Sequence, residues 1–153
     1  SGVPGLRSGF IAGDATLIAA LRRYRSYHGV SLAPPAQAAS IAAWGDEAHV
    51  AAARERYRNA YAGVVPVLRE VFDVRPPTAA FYLWLTVPGD DAAFARALYA
   101  NAGVKVVPGQ FLGRAGGGRN PGAGRVRVAL VAPPAQCAQA AARIAQFVRS
   151  YPS

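Results

Sequence analysis

Three arginines stand in settings that could do chemistry: Arg7, Arg125 and Arg127. Arg7 lies between Gly5 and Gly9. Glycine lets a backbone approach a ligand closely, and a guanidinium offers two parallel hydrogen bonds to a phosphate. On spacing alone, a structural salt bridge accounts for Arg7 as well as an anion site does. Arg125 and Arg127 follow Asn120-Pro121-Gly122-Ala123-Gly124 and open the run Arg125-Val126-Arg127-Val128-Ala129-Leu130. An arginine at such a loop-to-strand junction presents a rigid fork to a carboxylate, which lysine does less specifically. The period of two puts Arg125 and Arg127 on one side of the strand. Two arginines on an exposed strand face are the plain alternative.

Other reactive side chains form no recognisable constellation. His28 and His49 have no companions at metal-ligand or triad spacing, and the single Cys137 excludes a disulfide framework within one chain. Gly116-Gly117-Gly118 does not open a helix after a strand, so it is neither a dinucleotide fingerprint nor a phosphate-binding P-loop. Arg54, Arg56 and Arg58 read as the wet face of a helix.

The elements that must carry these groups follow from periodicity. Leu6 to Ala12 reads as a short strand, and Asp14 as the cap of a helix over 15–27. A second helix runs from Pro34-Pro35 to Trp44, ended by Gly45. A long helical pattern spans 46–72, with Pro66 expected to kink or divide it. The aromatic and β-branched stretch 80–87 predicts a buried strand. Asp90 or Asp91 then caps a helix over 92–101, stopped by Gly103. A strand is expected over 104–107, a Gly-rich loop over 110–124, a strand over 125–132, and a last helix from Pro133-Pro134 to about Tyr151. This is an α/β or α+β unit of about 75 residues at the end of the long helix, and the domain boundary is placed near Tyr61, giving 1–60 and 61–153.

At 153 residues and 52% hydrophobic content the chain can bury a core. No apolar run approaches the ~18 residues of a membrane span, which with the lone cysteine points to a reducing cytoplasm. The net charge of +9 is the balance of 16 scattered arginines and one lysine against eight acidic residues, without the interleaved aromatics of a single-strand binder, so no nucleic-acid partner is expected.

Taken in order, four segments resemble the class I and II, fold-type I aminotransferases that use pyridoxal phosphate. Ser1 to Asp14 resembles the stretch after the lysine that holds the cofactor, with Ser1 two positions and Arg7 eight positions beyond it. Phe81-Tyr82-Leu83-Trp84 resembles a small-domain strand reaching the substrate pocket, and Val106-Val107-Pro108-Gly109-Gln110-Phe111 a pocket loop. Gly124-Arg125-Val126-Arg127 resembles the family's Gly-Arg-x-Asn/Arg segment. With Tyr24-Arg25-Ser26-Tyr27-His28-Gly29, the wording is most similar to bacterial N-succinyldiaminopimelate aminotransferases.

The resemblance implies a C-terminal fragment of the aspartate-aminotransferase-like fold, with 1–60 the remnant of a large cofactor-binding domain and 61–153 the small domain. It implies that Arg7 holds the pyridoxal phosphate phosphate group and that Arg125, seconded by Arg127, binds the substrate carboxylate. It also implies amino acid and 2-oxo acid substrates, a homodimeric parent, and a partner in the N-terminal portion. The Schiff-base lysine is absent, since the one lysine, Lys105, falls in another motif, so no catalytic residue is assigned and the chain by itself is expected to be inactive. Another amino acid substrate, or a non-catalytic ligand-binding or regulatory module, is the alternative.

Overall fold

The computed structural model describes residues 3–29 and 31–151; Ser1, placed above by its distance from the lysine, lies outside them. The chain divides into two compact units, 1–53 and 54–153, and the division falls inside the third helix.

In the second unit the sheet has three antiparallel strands, β1 (Tyr82–Thr86), β2 (Val107–Pro108) and β3 (Arg125–Ala129), in the order β1-β3-β2. β1 and β2 therefore run parallel, with β3 inserted between them and helix α4 (Asp91–Ala102) as the crossover. This is a split β-α-β unit. The burial of β1 and β3 alternates. Leu83, Leu85, Val126 and Val128 point into a core shared with Val64 and Leu68 of α3 (Ala48–Arg69), Phe94 and Leu98 of α4, and Ile144 and Phe147 of α5 (Pro134–Ser150). The opposite sheet face carries Tyr82, Trp84 and Thr86 beside Arg125, Arg127 and Ala129.

Local signals explain the helix ends. Asp90 caps α4 by accepting from the Ala93 amide at 2.7 Å, and Gly103, with φ 64°, closes it in the left-handed conformation. Pro134 begins α5, where a missing N–H costs nothing. Pro66 does not divide α3: the helix is continuous, because Ala60, Val64, Val65 and Leu68 anchor it to the core on both sides of the proline.

The expected strand over 104–107 shrinks to Val107–Pro108. Pro108 has no N–H to extend the ladder, and Gly109–Phe111 turns into a 3-10 helix. β1 and β3 are likewise shorter than expected, at five residues each.

In the first unit, α1 (Ala15–His28) is capped by Asp14, whose side chain accepts from the Thr16 and Leu17 amides, and α2 (Pro34–Trp44) starts on its paired prolines. The strand expected over 6–12 is not formed. Pro4–Leu6 makes a 3-10 turn closed by the Arg7 amide on the Pro4 carbonyl, Arg7 takes a left-handed φ of 52°, and the rest is irregular. The sheet holds no strand from this segment, and an unpaired strand leaves its backbone groups unsatisfied. No described residue of 3–53 is buried. Phe10, Ile11, Leu17, Ile41 and Trp44 are all more than 60% exposed.

Two outcomes are expected. Amides of α4 and α5 exchange far more slowly than those of α1 and α2, because only the former sit on a core, and Leu98→Ala costs about 2–5 kcal/mol in denaturant melts of the second unit without changing exchange in α1. The Ala93 amide, and then the Gln110 carboxamide, hold the Asp90 carboxyl below its ordinary range. A carboxyl lowered in the folded state stabilises fully above its unfolded pKa of about 4 and loses that contribution as pH falls through the folded value. Asp90→Asn keeps a capping acceptor and should melt like the parent at pH 7 while losing less stability in acid.

Candidate functional site

Each unit carries its own group of polar side chains. In the first, an open groove of about 820 Å³ is lined by Arg7, Ser8, Arg22 and Arg25 together with apolar Ile18 and Leu21. A side-chain carbon built on Gly5 or Gly9 would meet nothing within 4 Å, so the backbone on either side of Arg7 is open to approach. Three guanidiniums and a hydroxyl are the donor chemistry of a phosphate site, and the apolar lining suits an aromatic body attached to that phosphate.

The second group lies on the sheet face turned away from the core. Arg127 sits in the central strand, paired with Trp84 of β1 on one side and Val107 of β2 on the other. Its guanidinium carbon lies 5.5 Å from the centre of the Tyr82 ring. Its Nε is buried without a hydrogen-bond partner, one of two such side-chain atoms among the described residues. A buried donor left unpaired costs about 1–3 kcal/mol, so this atom calls for an acceptor. The aromatic surroundings continue from Tyr82 to Phe81, at 5.5 Å between ring centres, and from Phe81 to Tyr57, at 6.0 Å. The Tyr61 hydroxyl donates to the Tyr82 carbonyl at 3.1 Å, and burial, then the neighbouring Tyr82, pushes its phenol above the ordinary range.

Arg125 is differently placed. It begins β3 opposite Thr86 and is exposed. The strand pairing brings both arginines onto one face, as their spacing requires, but Arg125 is exposed whereas Arg127 is half-buried with its Nε out of contact with water. Their burial differs because different strands flank each residue.

Sequence reasoning missed what surrounds them. Asp91, read only as an alternative cap, is the one buried charged residue described. It accepts from the Gln110 amide at 2.8 Å and the Gln110 side chain at 2.7 Å. Asn120, singled out only as part of a loop motif, donates to the Gln110 carbonyl. The Asp-Asp pair at a helix start was the one available signal.

The remaining reactive groups form no further site among the described residues. Cys137 donates to the Ala132 carbonyl, and burial pushes its thiol up. His49 pairs with Asp46, 2.9 Å away, and that hydrogen bond holds the Asp46 carboxyl low. No cluster of metal-ligating side chains occurs among the described residues, and no described helix is long and apolar enough to cross a membrane.

The sequence and the fold match those of known proteins. The family model for aminotransferase class I and II matches residues 1–144. The chain belongs to this family. It is 37% identical over 145 residues to a probable aminotransferase of Mycobacterium tuberculosis, a match covering 94% of this chain and 33% of that protein. An aminotransferase structure from Neisseria meningitidis superposes with a TM-score of 0.78 at 52% identity, over 99% of this chain and 38% of the other. A probable N-succinyldiaminopimelate aminotransferase of Thermus thermophilus matches at 36% identity and a TM-score of 0.50, over 60% of this chain and 24% of its own. The chain thus spans about a third of the length of the curated relatives it matches. The class I and II aminotransferases depend on pyridoxal phosphate, and the fold is the aspartate-aminotransferase-like one.

The donor set around Arg7 fits the phosphate of that cofactor. Inorganic phosphate, titrated into the ¹⁵N-labelled chain, is expected to shift the Arg7 side-chain resonance at about millimolar concentration, weakening as salt rises. A shift that persists undiminished at the remaining groove arginines in Arg7→Ala would remove Arg7 from the site.

Proposed function

We propose that this chain is the C-terminal portion of a pyridoxal phosphate-dependent aminotransferase, with Arg127 as its carboxylate-binding group and Arg125 in support. The observation that carries the reading is the buried, unpartnered Nε of Arg127 between Trp84, Val107 and the Tyr82 ring. A carboxylate supplies the acceptor that this nitrogen lacks, and low local dielectric strengthens the pairing. Arg125 adds positive charge at the exposed end of the same face, which attracts an anion without fixing its orientation.

Pyridoxal phosphate, when bound, supplies the electron sink that allows an amino acid to lose its α-proton. The residues of this chain contribute at two ends. Arg7, with Ser8, Arg22 and Arg25, would hold the phosphate; Arg127 would hold and orient the substrate carboxylate, and the Tyr82 and Trp84 rings would exclude water from that ion pair. Proton transfer needs a base that these residues do not provide. Lys105, the only lysine, is exposed in the link between α4 and β2 of the second unit.

For the first unit, the reading is a part of the larger cofactor-binding domain. The apolar side chains among its described residues, none of them buried, would then be covered by the remaining two thirds of a chain as long as the relatives. A homodimer, as in the family, would add further cover. For the substrate, the Thermus relative and the sequence pattern both favour exchange between glutamate/2-oxoglutarate and N-succinyl-2-amino-6-oxopimelate, on the route to diaminopimelate and lysine.

The chain alone, given pyridoxal phosphate and these substrates, is expected to show no turnover; measurable transamination would overturn the assignment of the base to residues elsewhere. Within the complete enzyme, Arg127→Ala should lower kcat/KM on the order of a hundredfold or more, and Arg125→Ala about tenfold or less, as expected for a paired charge and a screened one. The opposite ranking would return the carboxylate role to Arg125.

A further inference from the structure

We infer that Asp91, Gln110 and Asn120 form a positioning lock that sets Arg127 for carboxylate binding by tying the start of α4 to both ends of the Gly-rich loop. The inference rests on the carboxylate reading of Arg127 proposed above, and the geometry of the lock stands apart from that reading. Asp91, 1% exposed, receives the Gln110 backbone amide on one carboxylate oxygen and the Gln110 carboxamide on the other. Asp90, one residue earlier, accepts from the same carboxamide at 3.2 Å. The Gln110 carbonyl in turn accepts from the Asn120 side chain at 2.8 Å, and the Asn120 side-chain oxygen accepts from the Gly122 amide at 2.9 Å. The Asn120–Gln110 bond closes a loop of ten residues, and Gly122 leads through Gly124 into β3.

Steric contacts complete the arrangement. A side-chain carbon on Gly109 would strike the Gly122 carbonyl and stand 2.8 Å from the Arg125 carbonyl and 3.0 Å from the Trp84 ring. One on Gly122 would strike the Gly109 carbonyl in return. The two backbones are therefore in direct contact where β2 ends and β3 begins.

The consequence for Arg127 follows from the register. β2 holds β3 through only two residue pairs, Val107 with Arg127 and Pro108 with Val126, and the proline lacks an N–H. Two pairs cannot hold a strand by themselves. The residue after this short strand is Gly109 and the next is Gln110, so the hydrogen bonds on Gln110 carry what the ladder does not. If they open, Val107 leaves the flank of Arg127, water reaches its Nε, and the preformed demand for a carboxylate is lost. Asp91, Gln110 and Asn120 touch no substrate in this reading; they act through Val107, Gly109 and the start of β3.

The test uses the whole 153-residue chain and ¹⁵N NMR, reading amide exchange without ligand and then the Arg127 Nε resonance during titration with glutarate; Arg127→Lys identifies that resonance by its loss. Asn120→Ala should speed exchange at Gln110 and Arg127 on the order of tenfold, the effect of losing about one net hydrogen bond, with Leu98 and Ile144 unchanged and glutarate bound more weakly. Asn120→Asp keeps the acceptor for Gly122 but not the donor to Gln110, and should fall between. Unchanged exchange at Gln110 and Arg127, or an equal rise at Leu98 and Ile144, overturns the lock. A glutarate response that survives Arg127→Lys, or is missing from the unaltered chain, overturns the carboxylate reading and with it the functional consequence, even where the exchange result holds.

Discussion

The place of β3 between β1 and β2 is the constraint on which the second unit depends. A central strand is paired along both edges, so its residues have little freedom to shift, and a one-residue slip would exchange its two faces. Here that exchange would put Arg125, Arg127 and Ala129 into the core and expel Val126 and Val128. Burial of the two valines against α3, α4 and α5 therefore determines where the arginines point. The same packing that stabilises the unit aims the face that carries the two arginines.

A central position also explains why Arg127 differs from Arg125. Trp84 and Val107 stand on either side of Arg127, and Tyr82 lies diagonally beneath its guanidinium. Arg125, at the strand's first position, has Thr86 on one edge and no β2 partner on the other. Desolvation raises the value of an ion pair only where the charge has a partner to meet. Arg127 meets no carboxylate of its own chain in the described contacts, and its buried Nε–H gives the face its directionality. The ladder that creates this setting is short, so side-chain hydrogen bonds from Asp91 and Asn120 become part of the architecture of the site.

The two units differ in what holds them. Residues 54–153 enclose a continuous core from Ala60 to Phe147, whereas 3–53 show capped helices with their apolar faces open. The Asp14 cap and the paired prolines specify where α1 and α2 begin, but a helix of about fourteen residues draws most of its stability from packing. Arg7 has a suitable groove in such a unit, without the enclosure that would make a phosphate contact strong.

Much of this was legible from residue types. Asp14, Asp90, Gly103 and the paired prolines announced the helix boundaries, because caps and φ restrictions act over a few residues. The alternation over 125–130 placed two arginines on one strand face, and ordered motifs pointed to the class I and II aminotransferases, the family to which the chain belongs. What failed was non-local. Leu6 to Ala12 has strand composition but no strand among the described residues to pair with, and Pro66 did not divide α3, whose core contacts lie on both sides of it. The burial of the Arg127 Nε beside an exposed Arg125, and the union of Asp91, Gln110 and Asn120, depend on which distant segments meet. Sequence determined the local conformations and the chemistry available; tertiary structure decided which of those groups lost their water, since desolvation belongs to neighbours brought together only by folding.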